Sequence, residues 1–544
     1  MSIYRPTVRP RGPEKCEFLI VGEAPGSNEE QAGVPFVGSS GKELEKMLTE
    51  AGINPGLCRY TNVINIRPPD NKIDIFFRSS KKAALADGAV WFKGKWCMPE
   101  VLEAVAELHN EIERCQPACI IPVGNVALWA LTDYWGITKW RGSQLRLANG
   151  TKILPTYHPA AVLRQWELRW ITVVDLKRAK KWAHPDTREP DWQFILRPGL
   201  RTVIQTLAKI DALNVPVAVD IETRNKQIAC IGLAWSATEA ICIPILCIEN
   251  AAGYWSLEEE VLIYRAVSML MRKKQCIGQN FLYDMQYFAK QLGLRLDGWD
   301  DTMLAHHVCF PGTPKGLDFI SSLYNDFHRY WKDEGKTWDR NTGEEQLWNY
   351  NCLDACATWE AHHRIAKVVE AFKLTEQYAL HKAQSQTAFR MMLRGARVDL
   401  EYKRAFTKEL EKAIEELYSF LHFTLGRPVN VQSPKQMHKL CYDVLQLPPK
   451  YKKTKDGRRL TCDATAIEEW CVSCEPLFRP LLQAILDIRS LAVFKATFGE
   501  AGVDWDGRVR CSYNVAGPET FRWSSSEDAF GYGMNLQTIS SGDG

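Results

Sequence analysis

The sequence predicts a multidomain α/β protein built from three blocks. The chain has 544 residues, which is more than one ordinary domain core accommodates. From about residue 15 to 185, short apolar strands alternate with amphipathic helices, the pattern of a parallel-sheet α/β unit. A second block reaches about residue 370 and predicts a mixed α/β domain. From about residue 375, long amphipathic stretches predict a mainly helical part.

Individual segments support this division. In the first block, "CEFLIVGEAPG" and "CIIPVGN" predict strands, and "GKELEKMLTEAGI" and "PEVLEAVAELHNEIERC" predict helices. The segment "AHPDTREPDWQFILRPG" contains three prolines and predicts a linker. After it, "PVAVDIETRN" and "IACIGLAWS" predict the two strands of a hairpin. In the third block, "EYKRAFTKELEKAIEELYSFL" predicts a long helix, and turn-rich sequence follows "FGEAGVDWDG".

Composition and charge exclude several classes of protein. With 46% apolar and 24% charged residues the chain is not intrinsically disordered, and a net charge of +3 leaves any nucleic-acid contact to local basic patches. Seventeen cysteines without framework spacing fit a reducing compartment. The start "MSIYRPTVRPRG" lacks the apolar core of a signal peptide, and the longest apolar stretch is too short for a membrane span. A cytoplasmic protein is expected.

Two acidic side chains interrupt an apolar run. In "PVAVDIETRN", Asp220 and Glu222 are two positions apart, so both point to the same face of a strand. Two carboxylates buried together without partners cost several kcal/mol, so a positive group is expected between them. A metal ion is the predicted partner.

Three further residues extend this candidate site. Asp284 stands just inside the predicted helix of "IGQNFLYDMQYF", and Tyr350 and Asp354 in "LWNYNCLDACATWEAH" share one face of a helix. Four carboxylates suit two divalent ions, Mg²⁺ or Mn²⁺, about 3.5 to 4 Å apart. Such ions activate water at a phosphodiester, and the Tyr350 hydroxyl is placed to orient that water.

The segments "DIET", "NFLYD" and "YNCLD", in this order, resemble the three exonuclease motifs of the DEDD superfamily in its tyrosine-bearing branch. "GQNFLYD" followed by "DDTMLAHHV" is similar to the proofreading domain of family A DNA polymerases. The resemblance implies a ribonuclease H-like α/β fold. It also implies that Asp220, Glu222, Asp284 and Asp354 are metal ligands and that Tyr350 positions the nucleophile. Asp301 matches a family feature too, and capping of the helix that begins "TMLAHH" explains it equally well.

In the third block, the segments "NVQSPKQMHKLCYDVLQLPP", "KYKKTKDGRRLTCDATAIEEW", "LLQAILDIRSLAVFK" and "DGRVRCSYNVAGPETFRWSSSEDAFGYGMNLQTIS" are similar, in order, to the thumb and the first palm segment of family A polymerases. The similarity covers nearly all of residues 375–540. The run "KYKKTKDGRR" holds six basic residues and one acid, which suits backbone phosphates or a solvated charged face. The resemblance implies that Arg522, Asn535 and Gln537 contact DNA, and the basic run adds Lys452, Lys453 and Lys455 as expected contacts. Phe521 stands where the family usually has glycine. The resemblance places the nucleotidyl-transfer motifs after Gly544, so the sequence looks like the N-terminal part of a polymerase.

The first block resembles the iron-sulfur type of uracil-DNA glycosylase over about residues 16–180, in "VGEAPG", "GVPFVGSSGKELEKML", "TNVINIRPP" and "PTYHPAAVLR". The resemblance implies an aromatic platform, an amide that reads the base, a carboxylate near the oxocarbenium and a donor for the leaving uracil. Phe36, Asn62, Glu23 and His158 match these roles. Ile66 and Val105 replace cluster cysteines and Cys16 remains alone, so no iron-sulfur cluster is expected. Ala160 removes a hydroxyl beside His158, so two interpretations stay open: a domain that excises uracil, and a retained fold that only binds DNA or stiffens the polymerase. A phosphate-binding loop is excluded because Glu43 follows Lys42. The pair of cysteines in "CVSC" has no second pair at zinc spacing.

The predicted organisation is a glycosylase-like domain at residues 1–190, a 3′–5′ exonuclease domain at 198–370, and part of a family A polymerase domain at 371–544. The predicted reaction is removal of 3′-terminal nucleotides from DNA with two divalent ions, in a DNA replication enzyme of bacteriophage or bacterial type. Primer-template DNA and single-stranded 3′ ends are the expected partners, with accessory proteins left open. The location would be the host cytoplasm if the protein is viral. Three alternatives remain: a ribonuclease, a uracil-excision repair enzyme, and a DNA-binding accessory fragment with both sites silent.

Overall fold

A computed structural model describes residues 8–336, 343–454 and 457–538. Its contacts divide the chain into two compact units. The first unit contains Met1–Asp284 and Leu294–Ala383, and the second contains Met285–Gly293 and Gln384–Gly544. The glycosylase-like and exonuclease-like parts of the sequence therefore belong almost entirely to the first unit.

A five-stranded sheet lies at the centre of the N-terminal part of the first unit. Its strands, in spatial order, are Cys58–Asn62, Phe18–Gly22, Cys119–Pro122, Lys152–Ile153 and Leu145–Arg146. The first four are parallel, and the last pairs antiparallel with its neighbour. The central strand Phe18–Gly22 is buried at every position, as expected for an apolar strand covered on both faces. The predicted parallel α/β unit is confirmed.

Helices cover both faces of this sheet. Met47 and Trp182 contribute to the apolar core on one face, and Ile112 and Trp129 contribute to the core on the other. The α-helices are Ser27–Ala32, Ser39–Glu50, Lys81–Asp87, Pro99–Cys115, Asn125–Thr132, Ile137–Trp140, Pro159–Arg164 and Leu168–Ala183. Short 3₁₀ turns occupy Pro55–Leu57, Pro69–Asn71 and Ile73–Phe76, and a small antiparallel sheet joins Phe77–Arg78, Lys95–Cys97 and Val90–Phe92.

A six-stranded mixed sheet forms the second half of the first unit. Its strands, in spatial order, are Asp300–Asp301, Cys276–Gly278, Val217–Arg224, Gln227–Ala234, Glu239–Pro244 and Gln193–Ile195. The predicted hairpin is confirmed, because Val217–Arg224 pairs antiparallel with Gln227–Ala234. The predicted linker is only partly irregular, since Gln193–Ile195 within it forms an edge strand. Its prolines flank this strand and do not interrupt its hydrogen bonds.

The long helix Glu345–Ala371 packs against this mixed sheet. Cys352, Ala355 and Cys356 face the strands, and these small side chains allow the helix to approach the sheet closely. The other helices of this part are Leu200–Ala212, Leu257–Lys273, Leu282–Leu292, Thr302–Cys309 and Leu317–Tyr324, with a 3₁₀ turn at Glu334–Lys336. Within the described ranges, no helix combines the length and the apolarity that a membrane span needs.

The second unit is mainly helical, as predicted, around a core that includes Trp470, Leu482 and Ile485. The α-helices from residue 375 onward are Thr375–Arg394, Leu400–Leu425, Pro434–His438, Ala464–Ser473 and Arg479–Phe494. π-Helical turns follow at Lys439–Val444 and Lys495–Gly499, and 3₁₀ turns at Pro476–Phe478 and Leu536–Thr538. Three strand pairs complete it: Ala396–Arg397 with Arg508–Val509, Tyr451–Thr454 with Gly457–Leu460, and Ser512–Asn514 with Ser524–Ser526.

Phe521, which stands where the resembled family usually has glycine, has a left-handed backbone conformation with φ of +61°. A bulky side chain is strained there, because its Cβ approaches the following carbonyl oxygen. Because Phe521→Gly and Phe521→Ala both lose a ring that is only 41% exposed, we expect the glycine variant to exceed the alanine variant in free energy of unfolding by about 0.5–1 kcal/mol, since relief of strain exceeds the entropy cost of glycine.

The measurement is thermal and urea unfolding of both proteins. Phe521→Ala is the matched control, because alanine keeps the Cβ and therefore the strain. Equal free energies of unfolding for the two variants would show that the backbone at this position is not strained.

Candidate functional site

Asp220 and Glu222 lie on one face of the strand Val217–Arg224. Asp220 pairs with Gly232 and Glu222 with Cys230 on the neighbouring strand, and the register shifts immediately after Glu222. Such irregularities re-aim side chains and are common beside functional sites. The strand therefore presents two carboxylates together and then changes direction.

Asp354 comes to the same place from the helix Glu345–Ala371. Carboxylate oxygens of Asp220, Glu222 and Asp354 all lie within 4.8 Å of one another. These are hard oxygen donors of the kind that Mg²⁺, Mn²⁺ and Ca²⁺ prefer, and together they carry enough negative charge for more than one ion. The donor set therefore fits divalent cations.

Asp284, on the helix Leu282–Leu292, is held beside this cluster. Its Oδ1 accepts a hydrogen bond from the backbone N–H of Ile221, the residue between the two strand acids, at 3.1 Å. Its side chain is buried. Burial and the nearby charge of Asp220 raise the pKa of Asp284. The structure thus brings the four predicted carboxylates into one region, with three of them in the closest group.

Burial makes the negative charges of the strand acids costly. Burial first, and then the charge of Asp354, raise the pKa of Asp220 to about 7. Burial and the charges of Asp220 and Asp354 raise the pKa of Glu222 to about 9. The charge of Asp354 disfavours the ionised forms of Asp220 and Glu222, and a bound cation would offset this cost.

A lysine that sequence reasoning missed partly balances these charges. Lys332 donates hydrogen bonds to Asp354 Oδ2 and, at 2.9 Å, to the Tyr350 hydroxyl. Although burial alone would lower the pKa of Lys332, Asp354 and Tyr350 raise it. The sequence gives no local signal for this residue, because Lys332 lies 22 positions from Asp354 in a chain with 68 basic residues.

Asn351 was also missed, and it fixes Asp220. Its Nδ2 donates to Asp220 Oδ2 at 2.7 Å and to the Asp220 carbonyl oxygen at 3.2 Å. Space for this amide exists because Gly232 lacks a side chain: a Cβ there would lie 2.5 Å from Asn351 Oδ1. Asn351 stands between Tyr350 and Asp354 in the motif, so its position on the helix was visible while its contact with the strand was not.

Asp301 caps the helix Thr302–Cys309. Its Oδ1 accepts from the backbone N–H of Met303 at 2.9 Å, and its carboxylate also accepts from Asn280 and Phe281. The capping alternative explains this buried residue. Asp301 therefore stabilises the turn before the helix that carries Asp284.

The four residues predicted for the N-terminal pocket lie where the parallel strands end. Glu23 follows Phe18–Gly22, and Asn62 ends the adjacent strand. A Cβ on Gly22 would meet both Asn62 Oδ1, at 2.3 Å, and the ring of Phe36, at 2.7 Å. The rings of Phe36 and His158 have centroids 6.4 Å apart. Carboxyl ends of parallel strands are the usual ligand-binding edge of such sheets.

The protonation states in this pocket are set by burial. Burial and the positive charge of Arg164 lower the pKa of His158 to about 4, so the imidazole is neutral at physiological pH. His158 Nδ1 accepts from the Ala160 N–H at 3.2 Å, which leaves Nε2 as the hydrogen-bond donor. Burial and the charge of Asp74 raise the pKa of Glu23. The pocket thus offers a neutral donor and a partly desolvated carboxyl.

The cysteines are free thiols in the described part of the chain. Ile66 is partly exposed and Val105 lies in the apolar core. Cys471 and Cys474 stand at the end of the helix Ala464–Ser473. Within the described ranges, the only group of three or more potential metal-ligand side chains close enough to hold one ion is the cluster of Asp220, Glu222 and Asp354.

The predicted DNA-contact residues of the second unit are of two kinds: basic residues, whose described members are exposed, and two amide residues that make hydrogen bonds within the chain. Lys452 and Lys453 are exposed on the strand Tyr451–Thr454, where Lys452 pairs with Asp463 at 3.2 Å. Lys455 lies outside the described residues. Arg522 is exposed. Asn535 accepts hydrogen bonds from Ser525 and from the Gln537 N–H, and Gln537 donates to the Trp523 carbonyl at 3.1 Å.

We expect the metal-free protein to lose stability as the pH rises. Asp220 and Glu222 titrate near 3.8 and 4.5 in the unfolded chain and near 7 and 9 in the folded one, so the folded state binds more protons in between. This contribution is complete below about pH 4 and is lost as the pH rises to about 9. Melting in the presence of a chelator should therefore occur at lower temperature at pH 9 than at pH 6.

Glu222→Gln should flatten this dependence, because the amide stays neutral. Glu258→Gln, at an exposed position, is the matched control and should keep the wild-type slope. Equal slopes for the wild type and Glu222→Gln would contradict the assignment.

Comparison with known proteins divides the chain into three matches. The uracil DNA glycosylase superfamily matches residues 9–182, a 3′–5′ exonuclease family matches residues 198–370, and DNA polymerase family A matches residues 400–542. The exonuclease match contains all four carboxylates and Tyr350. The glycosylase match contains Glu23, Phe36, Asn62 and His158.

Individual relatives agree with these matches. A type-4 uracil-DNA glycosylase of Thermotoga maritima is 33% identical over 168 residues, which are 30% of this chain and 76% of that protein. The DNA polymerase of Bacillus phage SP01 is 25% identical over 408 residues, 68% of this chain and 40% of that protein. DNA polymerase I of Synechocystis is 25% identical over 360 residues, which are 62% of this chain and 35% of that protein. The chain thus spans well under half of these two polymerases.

One solved structure, the polymerase domain of Pol1 from M. smegmatis in complex with DNA primer-template and dNTP, is 22% identical and has a TM-score of 0.45. The match covers 64% of this chain and 56% of that one. The family matches are more specific. Residues 198–370 thus form a 3′–5′ exonuclease family domain and residues 400–542 match DNA polymerase family A, and the N-terminal part of the chain belongs to the uracil DNA glycosylase superfamily.

Proposed function

We propose that this chain removes 3′-terminal nucleotides from DNA by metal-dependent hydrolysis, as the editing activity of a DNA replication polymerase. The observation that carries the proposal is the buried group of Asp220, Glu222 and Asp354, with oxygens within 4.8 Å of one another, inside the exonuclease match. Asp284 is held beside them by the Ile221 amide. Without a bound cation, a buried cluster of acids lowers the stability of the folded protein, whereas a site for divalent ions needs such a cluster of carboxylate ligands.

Asp220, Glu222, Asp284 and Asp354 would hold two divalent ions, Mg²⁺ or Mn²⁺. Such ions, when bound, lower the pKa of a water molecule and stabilise the charge that develops on the phosphate oxygens. The chain's own residues set up this chemistry. Asn351 fixes the orientation of Asp220, and the helix Glu345–Ala371 aligns Asp354 with the strand.

Tyr350 would orient the attacking water. It lies one helical turn before Asp354, and burial together with the charge of Asp354 raises the pKa of its hydroxyl. The hydroxyl therefore stays protonated at physiological pH, so it can hold a water by hydrogen bonding and does not act as a base. Lys332, which donates to this hydroxyl, leaves its proton free to be offered to another acceptor.

Primer-template DNA and single-stranded 3′ ends are the proposed partners. Lys452, Lys453, Arg522, Asn535 and Gln537 would contact DNA from the part that matches the polymerase family. The exposed lysines suit backbone phosphates. The proposed domain ranges are 1–190, 198–370 and 371–544. The proposed location is the cytoplasm, of the host if the protein is viral, with accessory proteins as further partners.

We expect Asp220→Ala to lower digestion of a 3′-mismatched DNA primer at least about 100-fold, because loss of a metal ligand removes several kcal/mol of charge stabilisation. Release of nucleoside monophosphates is measured with Mg²⁺, with Mn²⁺ and with a chelator. Asp297→Asn, at an exposed carboxylate of the same domain, is the control and should digest normally. Metal-independent digestion, or full activity of Asp220→Ala, would overturn the proposal.

The same assay separates the nuclease alternatives. Single-stranded DNA and RNA of equal sequence are digested in parallel, and we expect DNA to be preferred because residues 400–542 match DNA polymerase family A. Preference for RNA would favour a ribonuclease. Absence of digestion of either strand would favour a DNA-binding accessory fragment.

Uracil excision is a second proposed activity, favoured by the convergence of Phe36, Asn62 and His158 at the ends of the parallel strands. Phe36 would stack on the base, Asn62 would read its edge, and Nε2 of the neutral His158 would donate to the leaving uracil. Glu23 stands beside Asn62 at the same sheet edge, where a developing positive charge would favour its ionised form.

We expect uracil-containing DNA to break in alkali after incubation, and His158→Ala to lower this breakage at least about 10-fold through loss of the donor. Since the pKa of His158 is about 4, the rate should stay flat between pH 6 and pH 8 as far as this residue is concerned. Arg146→Ala, on an exposed strand residue of the same domain, is the control. Intact DNA with the wild-type protein would show that the pocket does not excise uracil.

A further inference from the structure

Residues 328–335, here called the bridging segment, supply two hydrogen-bond donors to the Asp354 carboxylate. Trp331 Nε1 donates to Oδ1 at 2.5 Å, and Lys332 Nζ donates to Oδ2. Trp331 is buried and packs with Leu317 and Ala357. The orientation of Asp354 is therefore set by this segment as well as by its own helix.

The same segment also fixes Tyr350. Lys332 Nζ lies 2.9 Å from the Tyr350 hydroxyl and 5.0 Å from its ring centroid. Gly335 lies directly against the ring, since a Cβ on this residue would stand 2.7 Å from Tyr350 Cε2. The ring is thus bounded by the ammonium group at one end and by backbone at its side.

The bridging segment is anchored on the glycosylase-like domain. The Gln144 N–H donates to the His328 carbonyl at 2.7 Å, and the His328 N–H donates to Gln144 Oε1 at 2.9 Å. The Tyr330 N–H donates to Ser143 Oγ at 3.2 Å. All four residues are buried. Loss of one partner would leave a buried backbone N–H group without a hydrogen bond, which lowers the stability of the folded state.

Two buried arginines of the glycosylase-like domain hold the chain just before this segment. Arg141 pairs with Asp175, also in that domain, and donates to Ser322 Oγ at 2.7 Å. Arg178 donates to the carbonyl oxygens of Ser322, at 2.8 Å, and Asn325, at 2.7 Å. Because buried charges need their partners, this arrangement resists separation of the two domains.

We propose that the glycosylase-like domain braces the exonuclease site: it holds the bridging segment, and Lys332 on that segment is a positioning residue for Tyr350 and Asp354. The proposal rests on the exonuclease function proposed above and adds a role for the N-terminal domain that does not depend on uracil excision. A buried ammonium with bonds to both Tyr350 and Asp354 sets their relative position, which helix geometry alone leaves to rotamer choice.

The first experiment replaces Lys332 with methionine, which keeps the length of the side chain and removes its charge and donors. We expect kcat for DNA digestion to fall about 10- to 100-fold with KM for DNA within about twofold, because positioning and not DNA binding is lost. A raised KM with unchanged kcat would instead assign Lys332 to DNA contact and overturn the proposal.

Binding of Mn²⁺ to the metal-free protein provides a readout that does not depend on activity. The carboxylates remain in Lys332→Met and one competing cation is gone, so Mn²⁺ affinity measured by calorimetry should equal or exceed that of the wild type. A fall in affinity would mean that the metal site itself had collapsed, and this result would overturn the positioning role.

The second experiment tests the brace with the double variant Ser143→Ala, Gln144→Ala. It removes the two side-chain oxygens that accept from Tyr330 and His328. We expect faster hydrogen exchange of these two amides and a fall in kcat in the same direction as for Lys332→Met. Lys139→Ala is the matched control: its ion pair with Asp333 is exposed, so removal should change kcat less than about twofold.

Unchanged exchange and unchanged kcat in the double variant would overturn the brace. Failure of the exonuclease proposal looks different, because the wild-type protein would then digest no DNA. The exchange experiment still tests the brace in that case. Faster exchange of the His328 and Tyr330 amides in the double variant would support the brace. The brace would be overturned if these amides exchange equally fast in both proteins, or if they are already unprotected in the wild type.

Discussion

The arrangement of the exonuclease-like domain depends on one constraint, the burial of several carboxylates in one place. Asp220 and Glu222 are held on a buried strand, Asp354 faces them from a helix, and Asp284 is fixed to the amide between them. The charges of Asp354 and Asp220 raise the free energy of ionising their neighbours. The surroundings reduce this cost with an amide from Asn351 and an ammonium group from Lys332. A divalent cation can supply the positive charge that is still needed to balance these carboxylates.

This constraint explains features that otherwise resemble ordinary packing. Gly232 occurs opposite Asp220 because the amide of Asn351 occupies the space of a side chain. Small residues such as Cys352 and Ala355 let the long helix approach the sheet, which brings Asp354 within reach of the strand acids. Packing and charge therefore act together, since the helix that completes the apolar core also delivers the carboxylate.

The sequence predicted those features that local spacing determines. The alternation of a strand places Asp220 and Glu222 on one face, and helical periodicity relates Tyr350 to Asp354. Lys332, Trp331 and Asn351 could not be predicted as parts of the site, because their partners are distant in the sequence and no periodicity connects them. The strand Gln193–Ile195 was hidden for a similar reason: its hydrogen-bond partner, Glu239–Pro244, lies beyond the hairpin that follows it.

The N-terminal domain combines a pocket with an interface, and the two make different demands on its sequence. The pocket needs particular side chains at the ends of parallel strands, such as Asn62 and His158, whereas the interface needs buried donors and acceptors near Arg141 and Gln144. Neither Asn62 nor His158 takes part in the interface hydrogen bonds described above, so substitutions there remove none of them. Substitutions in the interface leave buried charges and backbone groups unpaired, with a cost of several kcal/mol. The physical penalty for losing this domain's contact surface therefore persists whether or not its pocket acts on uracil.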